Sequence, residues 1–103
     1  MINSLEDIRR PYFIGIAGAG MSAIAQYLQG TGLQVDGSDR FFNEGKAADI
    51  KEKLEAEGIN CFLQNGEGIT SATDLVVVST AIEDTVIEVK KAKELGIPII
   101  RRS

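Results

Sequence analysis

The chain of 103 residues has no histidine and a single cysteine, and its 15 acidic side chains outnumber its 11 basic ones. Without histidine there is no Ser-His catalytic pair, no imidazole metal ligand and no imidazole acid or base. Cys61 alone excludes an internal disulfide and a cysteine-built zinc site, and it fits a reducing cytoplasm. The net charge of −4 disfavours non-specific binding to nucleic acid. No apolar run approaches the roughly 18 residues of a membrane span. The N-terminal MINSLEDIRR carries charge where a signal peptide needs an apolar core. The expectation is a cytoplasmic protein with neither nucleic acid nor membrane as partner. What is present is 44% apolar and 25% charged residues, a globular composition in a chain long enough for one domain.

Short apolar runs alternate with helical patterns. Residues 12–17 (YFIGIA) read as a buried strand. Met21, Ile24, Ala25 and Leu28 follow on one helix face, and Gly30 and Gly32 stop that helix. Residues 33–37 (LQVDG) read as a second strand. Ala47, Ile50 and Leu54 mark a second helix that Gly58 closes. Residues 59–63 read as a third strand, in which Cys61 is expected to be a packed, unreactive thiol. Residues 75–78 (LVVV) are the strongest strand signal, of the kind buried on both faces. Ile82, Val86 and Val89 share a helix face that ends at Leu95-Gly96, and residues 97–100 read as a fifth strand. This alternation predicts an α/β fold: a Rossmann-like three-layer domain with a five-stranded, mostly parallel sheet and right-handed crossovers.

Three segments carry candidate chemistry. Gly15-Ile16-Ala17-Gly18-Ala19-Gly20-Met21-Ser22 leaves the first strand and opens the first helix, where free N–H groups and the helix dipole suit a phosphate. It departs from the G-x-G-x-x-G dinucleotide fingerprint by Ala17 at the middle glycine. Gly37-Ser38-Asp39-Arg40 follows the second strand and places an acid within reach of a ribose hydroxyl. Ser79-Thr80-Ala81 follows the LVVV strand, at the sheet edge where α/β folds collect ligands. Glu83, Asp84 and Glu88 read as a solvated helix start, where acids complement the dipole, and no metal site is expected.

FIGIAGAGMSAIAQYL, then GSD, then DLVVVSTAI, then GIPIIRR, resembles in order the N-terminal domain of the Mur ligases, over nearly the whole chain. The resemblance implies that residues 1–103 are a single UDP-binding domain, the first of three in an ATP-dependent amide ligase of peptidoglycan synthesis. Gly18, Ala19, Gly20, Met21 and Ser22 match the family's pyrophosphate loop. Ser38 and Asp39, with Ser79, Thr80 and Ala81, match the segments that face the uridine. The implied ligand is UDP-N-acetylmuramate. The domain itself is expected to bind no cofactor, since ATP and magnesium go to the central domain. The implied partners are the central and C-terminal ligase domains, no catalytic residue is assigned here, and the chain alone is expected to be inactive.

Several positions differ from the family pattern. Tyr12 stands where His is usual, Ala17 where Gly is usual, Glu67 where a His follows Gly66, and Thr85-Val86-Ile87-Glu88 where Asn-Pro-Glu is usual. The Ala17 methyl is expected to crowd a phosphate, and Glu67 to set negative charge near an anionic ligand. Two other readings stay open: an NAD(H)-binding Rossmann domain of a dehydrogenase or redox sensor, with Asp39 on the adenosine ribose, and a degenerate interaction module that binds no nucleotide.

Overall fold

A computed structural model of the chain describes residues 8–79 and 86–102. Strands β1 (Pro11–Ile14), β2 (Asp36–Ser38), β3 (Asn60–Phe62), β4 (Leu75–Ser79) and β5 (Ile99–Arg102) form one sheet in the order β3-β2-β1-β4-β5. Every pairing is parallel. The helices are α1 (Ala19–Gly30), α2 (Arg40–Asn43), α3 (Ala48–Ala56) and α4 (Ile87–Glu94).

Successive side chains of a strand point to opposite faces, so β1 and β4 each feed two cores. Phe13, Leu75 and Val77 join Met21 and Ala25 of α1 and Leu54 of α3 on one face. Tyr12, Ile14, Val76 and Val78 join Val89 and Ala92 of α4 on the other. The LVVV run is thus buried on both sides, and the result is the expected three-layer α/β domain.

The element boundaries shift for local reasons. β1 stops at Ile14 because Gly15 turns at φ 89°. β2 begins only at Asp36, because the preceding backbone is drawn elsewhere: the Leu33 N–H donates back to Leu28 O at 3.4 Å and the Gln34 N–H to Arg9 O at 3.0 Å. The short helix α2, absent from the sequence reading, exists because Asp39 caps it by accepting from the Phe41 N–H. Ala47, expected inside the next helix, is instead its left-handed N-cap at φ 59°. α4 starts at Ile87 with Val86 as N-cap, and Ile82 lies outside the described residues. β5 starts at Ile99 because the Ile97 N–H closes α4 on Ala92 O at 2.9 Å.

Gly37 has no room for a side chain. A Cβ on Gly37 would stand 2.5 Å from Ile16 Cδ1 and 2.9 Å from the backbone oxygen of Phe13. Ile16, fully buried, lies over β2 at that point and anchors the turn that follows β1. Gly37→Ala is therefore expected to cost about 1–3 kcal/mol through overpacking. Urea unfolding checks this, and an unchanged midpoint would contradict it. Cys61 on β3 is half-buried against the first core. Burial, aided by the charge of Glu55, pushes its thiol up to about 11. A thiol reagent at about pH 8 is expected to label the native chain at least about tenfold more slowly than the urea-unfolded chain. Equal rates would refute the packing.

Candidate functional site

The chain crosses from β1 to α1 through a turn that is fastened to the end of β2. The N–H groups of Gly15 and Ile16 both donate to Ser38 O at 2.9 Å. The Ala17 N–H donates to Asp39 Oδ2 at 3.0 Å, while Asp39 Oδ1 accepts from the Phe41 N–H at 2.9 Å. Gly18 is the extended N-cap of α1; its own N–H goes to Gly15 O at 3.2 Å, and its carbonyl accepts the first helical bond, from Ser22 at 2.8 Å. The N–H groups of Ala19, Gly20 and Met21 therefore have no acceptor among the described residues, as helix geometry requires of a first turn without a side-chain cap. No acid occupies that turn itself, and the carboxylate beside it, Asp39, is held on the Ala17 and Phe41 N–H groups, which leaves the donors of the turn and its partial positive charge open to an anion.

This turn faces a cleft of about 240 Å³. Gly15 and Gly18 line it from the turn after β1, Asp39, Arg40 and Phe41 from the end of β2 and the start of α2, Gln64 from beyond β3 and Ser79 from the end of β4. The sheet order reverses between β1 and β4, so the cleft lies at the carboxyl ends of the strands, at the switch point where doubly wound sheets place their ligands.

Gly18, Ala19 and Gly20 are exposed at this helix start. Met21 and Ser22 are buried; the Ser22 hydroxyl donates to Ala19 O at 3.1 Å, so of that residue neither hydroxyl nor N–H is free for a ligand. Asp39 lines the cleft, only 6% exposed. Ser38 does not line it: the side chain is fully buried and its hydroxyl donates to Glu88. Ser79 is half-buried at the cleft wall, and Thr80 and Ala81 lie outside the described residues. Ala17 is half-buried and packs against the first core. Glu67 is exposed on a turn whose N–H donates to Asn65 Oδ1; the cleft residue from this stretch is Gln64. Arg40 belonged to the candidate segment after the second strand but was given no ligand role, and Phe41 and Gln64 were not among the expected site residues. Arg40 and Phe41 belong to α2, which only the cap at Asp39 could have revealed.

Glu88 corrects a further expectation. It is not a solvated acid but fully buried under the sheet. Its carboxyl accepts from the Tyr12 hydroxyl and, at 2.5 Å, from the Ser38 hydroxyl. The Gly66 backbone and Lys91 lie near enough to favour its charged form, and Lys91 donates to Gly66 O at 2.7 Å. Burial raises the Glu88 pKa above its ordinary value, with these donors opposing the shift in part. Burial and the neighbouring Glu88 raise that of Tyr12.

A parallel α/β domain with an anion-ready helix start at its switch point defines the class, and comparison with known proteins refines it. The model of the Mur ligase family, catalytic domain, matches residues 10–103. The chain belongs to the Mur ligase family. It is 45% identical over 92 residues to a UDP-N-acetylmuramate--L-alanine ligase of Carboxydothermus hydrogenoformans, covering 88% of this chain and 19% of the relative. It is 41% identical over 99 residues to one of Caldanaerobacter subterraneus, covering 96% and 20%. The chain thus spans about a fifth of the length of the curated relatives it matches. Among solved structures, a UDP-N-acetylmuramate-alanine ligase from Thermotoga maritima superposes with a TM-score of 0.77 at 29% identity, over 90% of this chain and 20% of that one. A murein peptide ligase from Psychrobacter arcticus shares the fold with a TM-score of 0.76 at 22% identity, over 89% of this chain and 18% of that one. No helix among the described residues is long and apolar enough to cross a membrane.

The buried carboxyl gives a pH signature. Its folded-state pKa lies above the ordinary 4.5, so between the two values the folded chain holds a proton that the unfolded chain has released. Stability therefore falls as pH rises through that window. Glu88→Gln keeps the shape and removes the ionisation. The stability of the native chain relative to this variant is expected to decline as pH rises above the ordinary 4.5 in urea titrations. A difference that is flat or rises with pH would contradict the buried, proton-retaining carboxyl.

Proposed function

We propose that this chain binds the UDP moiety of UDP-N-acetylmuramate, as the first domain of a three-domain, ATP-dependent UDP-N-acetylmuramate–L-alanine ligase of cytoplasmic peptidoglycan synthesis. The observation that carries the reading is the set of three unpaired N–H groups, of Ala19, Gly20 and Met21, at a switch-point cleft. Relatives bearing that ligase name at 41–45% identity support the choice of ligand. In this reading the pyrophosphate sits over the start of α1. The uridine lies toward Asp39, whose oxygens each keep a lone pair for a ribose hydroxyl, and toward Ser79.

Among the described residues no group of three or more Asp, Glu, Cys or His converges. ATP and magnesium belong, in this reading, to the further domains of the ligase. There the metal and ATP supply activation of the muramoyl carboxylate. This domain's part is to hold and orient the nucleotide handle of the substrate, a contribution to catalysis through positioning.

Titration of the chain with UDP-N-acetylmuramate and, separately, NAD is expected to shift the amide resonances of residues 19–21, Gln64 and Ser79 with the first ligand only. Unmoved resonances at residues 19–21 under saturating UDP-N-acetylmuramate would overturn the reading. Preferential response to NAD would transfer the cleft to a dehydrogenase-type ligand, and response to neither would favour an interaction module.

A further inference from the structure

The last strand brings a cation to the same helix start. Arg102 ends β5 in register with Ser79 of β4, so it stands at the carboxyl edge of the sheet beside the cleft. It lines an apolar groove together with Ile24 and Leu28 of α1 and Val77 of β4. Such a groove suits the aliphatic stem of an arginine and leaves the head group free for polar contacts. That head group reaches Gly20: a Cβ there would stand 2.9 Å from Arg102 Nη1 and 3.5 Å from Cζ and Nη2. The guanidinium thus occupies the volume that any side chain at position 20 would claim.

Arg102 is exposed at the end of its strand. Arg102 makes no hydrogen bond or ion pair among the described residues. Beside it is the positive end of α1, with no acid in its first turn and three N–H groups that have no acceptor among the described residues; the carboxylate of the same loop, Asp39, is engaged by the Ala17 and Phe41 N–H groups. On the β2 side of the cleft stands a second exposed guanidinium, Arg40, over the Phe41 ring at 5.5 Å and with no carboxylate partner among the described residues. A helix end contributes only about half a unit of charge. That suffices for one phosphate oxygen and falls well short of a diphosphate, which carries at least two negative charges. A planar guanidinium beside the same turn supplies the missing charge and two parallel donors.

We propose that Arg102 binds the diphosphate of the nucleotide together with the first turn of α1, and so sets the preference of this cleft for nucleoside diphosphates over monophosphates. The proposal rests on the nucleotide-binding reading above. Gly20 has a matching role: it leaves the seat in which the guanidinium lies.

The test uses the 103-residue chain with UMP and UDP as probes, in the native form and as Arg102→Gln, Gly20→Ala and the double variant. Amide spectra confirm that each is folded. Arg102→Gln is expected to weaken UDP by about tenfold or more and UMP by much less, so that the UDP-to-UMP preference collapses. It is also expected to flatten the salt dependence of UDP binding. Gly20→Ala displaces the guanidinium, so its effect on UDP is expected to be smaller when Gln already stands at 102. Such non-additivity marks a shared contact. UDP affinity within about twofold of native in Arg102→Gln, or an equal loss for UMP and UDP, would overturn the role of Arg102 and leave the cleft intact. Absence of UDP binding by the native chain would overturn the nucleotide reading and the proposal with it.

Discussion

The end of β2 holds the functional loop in place. Three consecutive N–H groups, of Gly15, Ile16 and Ala17, are spent on the Ser38 carbonyl and the Asp39 carboxylate. Each such bond contributes about 0.5–1.5 kcal/mol net, and more where the acceptor is charged. Their larger effect is geometric. With residues 15–17 fixed, Gly18 lines the cleft in the extended cap conformation, and α1 starts there with three N–H groups that have no acceptor among the described residues. The lone acid after β2 is thus a structural clamp as much as a ligand. One oxygen closes the β1 turn and the other starts α2, so the two walls of the cleft are referred to one side chain.

Ser38 extends the same constraint to the other face of the sheet. Its carbonyl accepts from the loop above and its hydroxyl donates to Glu88 below. Glu88 also accepts from Tyr12 of β1. The neighbouring strands β1 and β2 are therefore tied by side chains beneath the sheet, next to where they are tied by backbone at its edge. A buried carboxyl stabilises only while its donors are in place, and losing one leaves an unsatisfied polar group. This makes Tyr12, Ser38 and Glu88 a single unit. Tyr12, fully buried, is accommodated because its hydroxyl reaches the acid.

The alternation of strand and helix was plain in the sequence because hydrophobic periodicity records which face is buried. The LVVV run and the spacing of Met21, Ala25 and Leu28 needed nothing else. The helix start at 18–20 was legible for the same reason: small residues between a strand and an amphipathic helix leave few alternatives. Side-chain direction was not legible. Ser38 and Asp39 are neighbours in a strand end, and only the pleat decides that the first turns under the sheet while the second faces the cleft. Glu88 looked like a surface acid because acids at helix starts usually are, and its partners lie 50 and 76 positions away. Arg102 was visible only as the end of a basic pair, since its approach to Gly20 depends on the order of β4 and β5.

The account depends on the loop being rigid before any ligand arrives, with its unpaired donors confined to the first turn of α1. Native-state amide hydrogen exchange on the unliganded chain reads this directly. The N–H groups of Gly15, Ile16 and Ala17 should exchange as slowly as those of β1 and β2, while those of Ala19 and Gly20 exchange rapidly. Fast exchange at residues 15–17, or protection at Ala19 and Gly20 without ligand, would contradict the clamp on which the site is built.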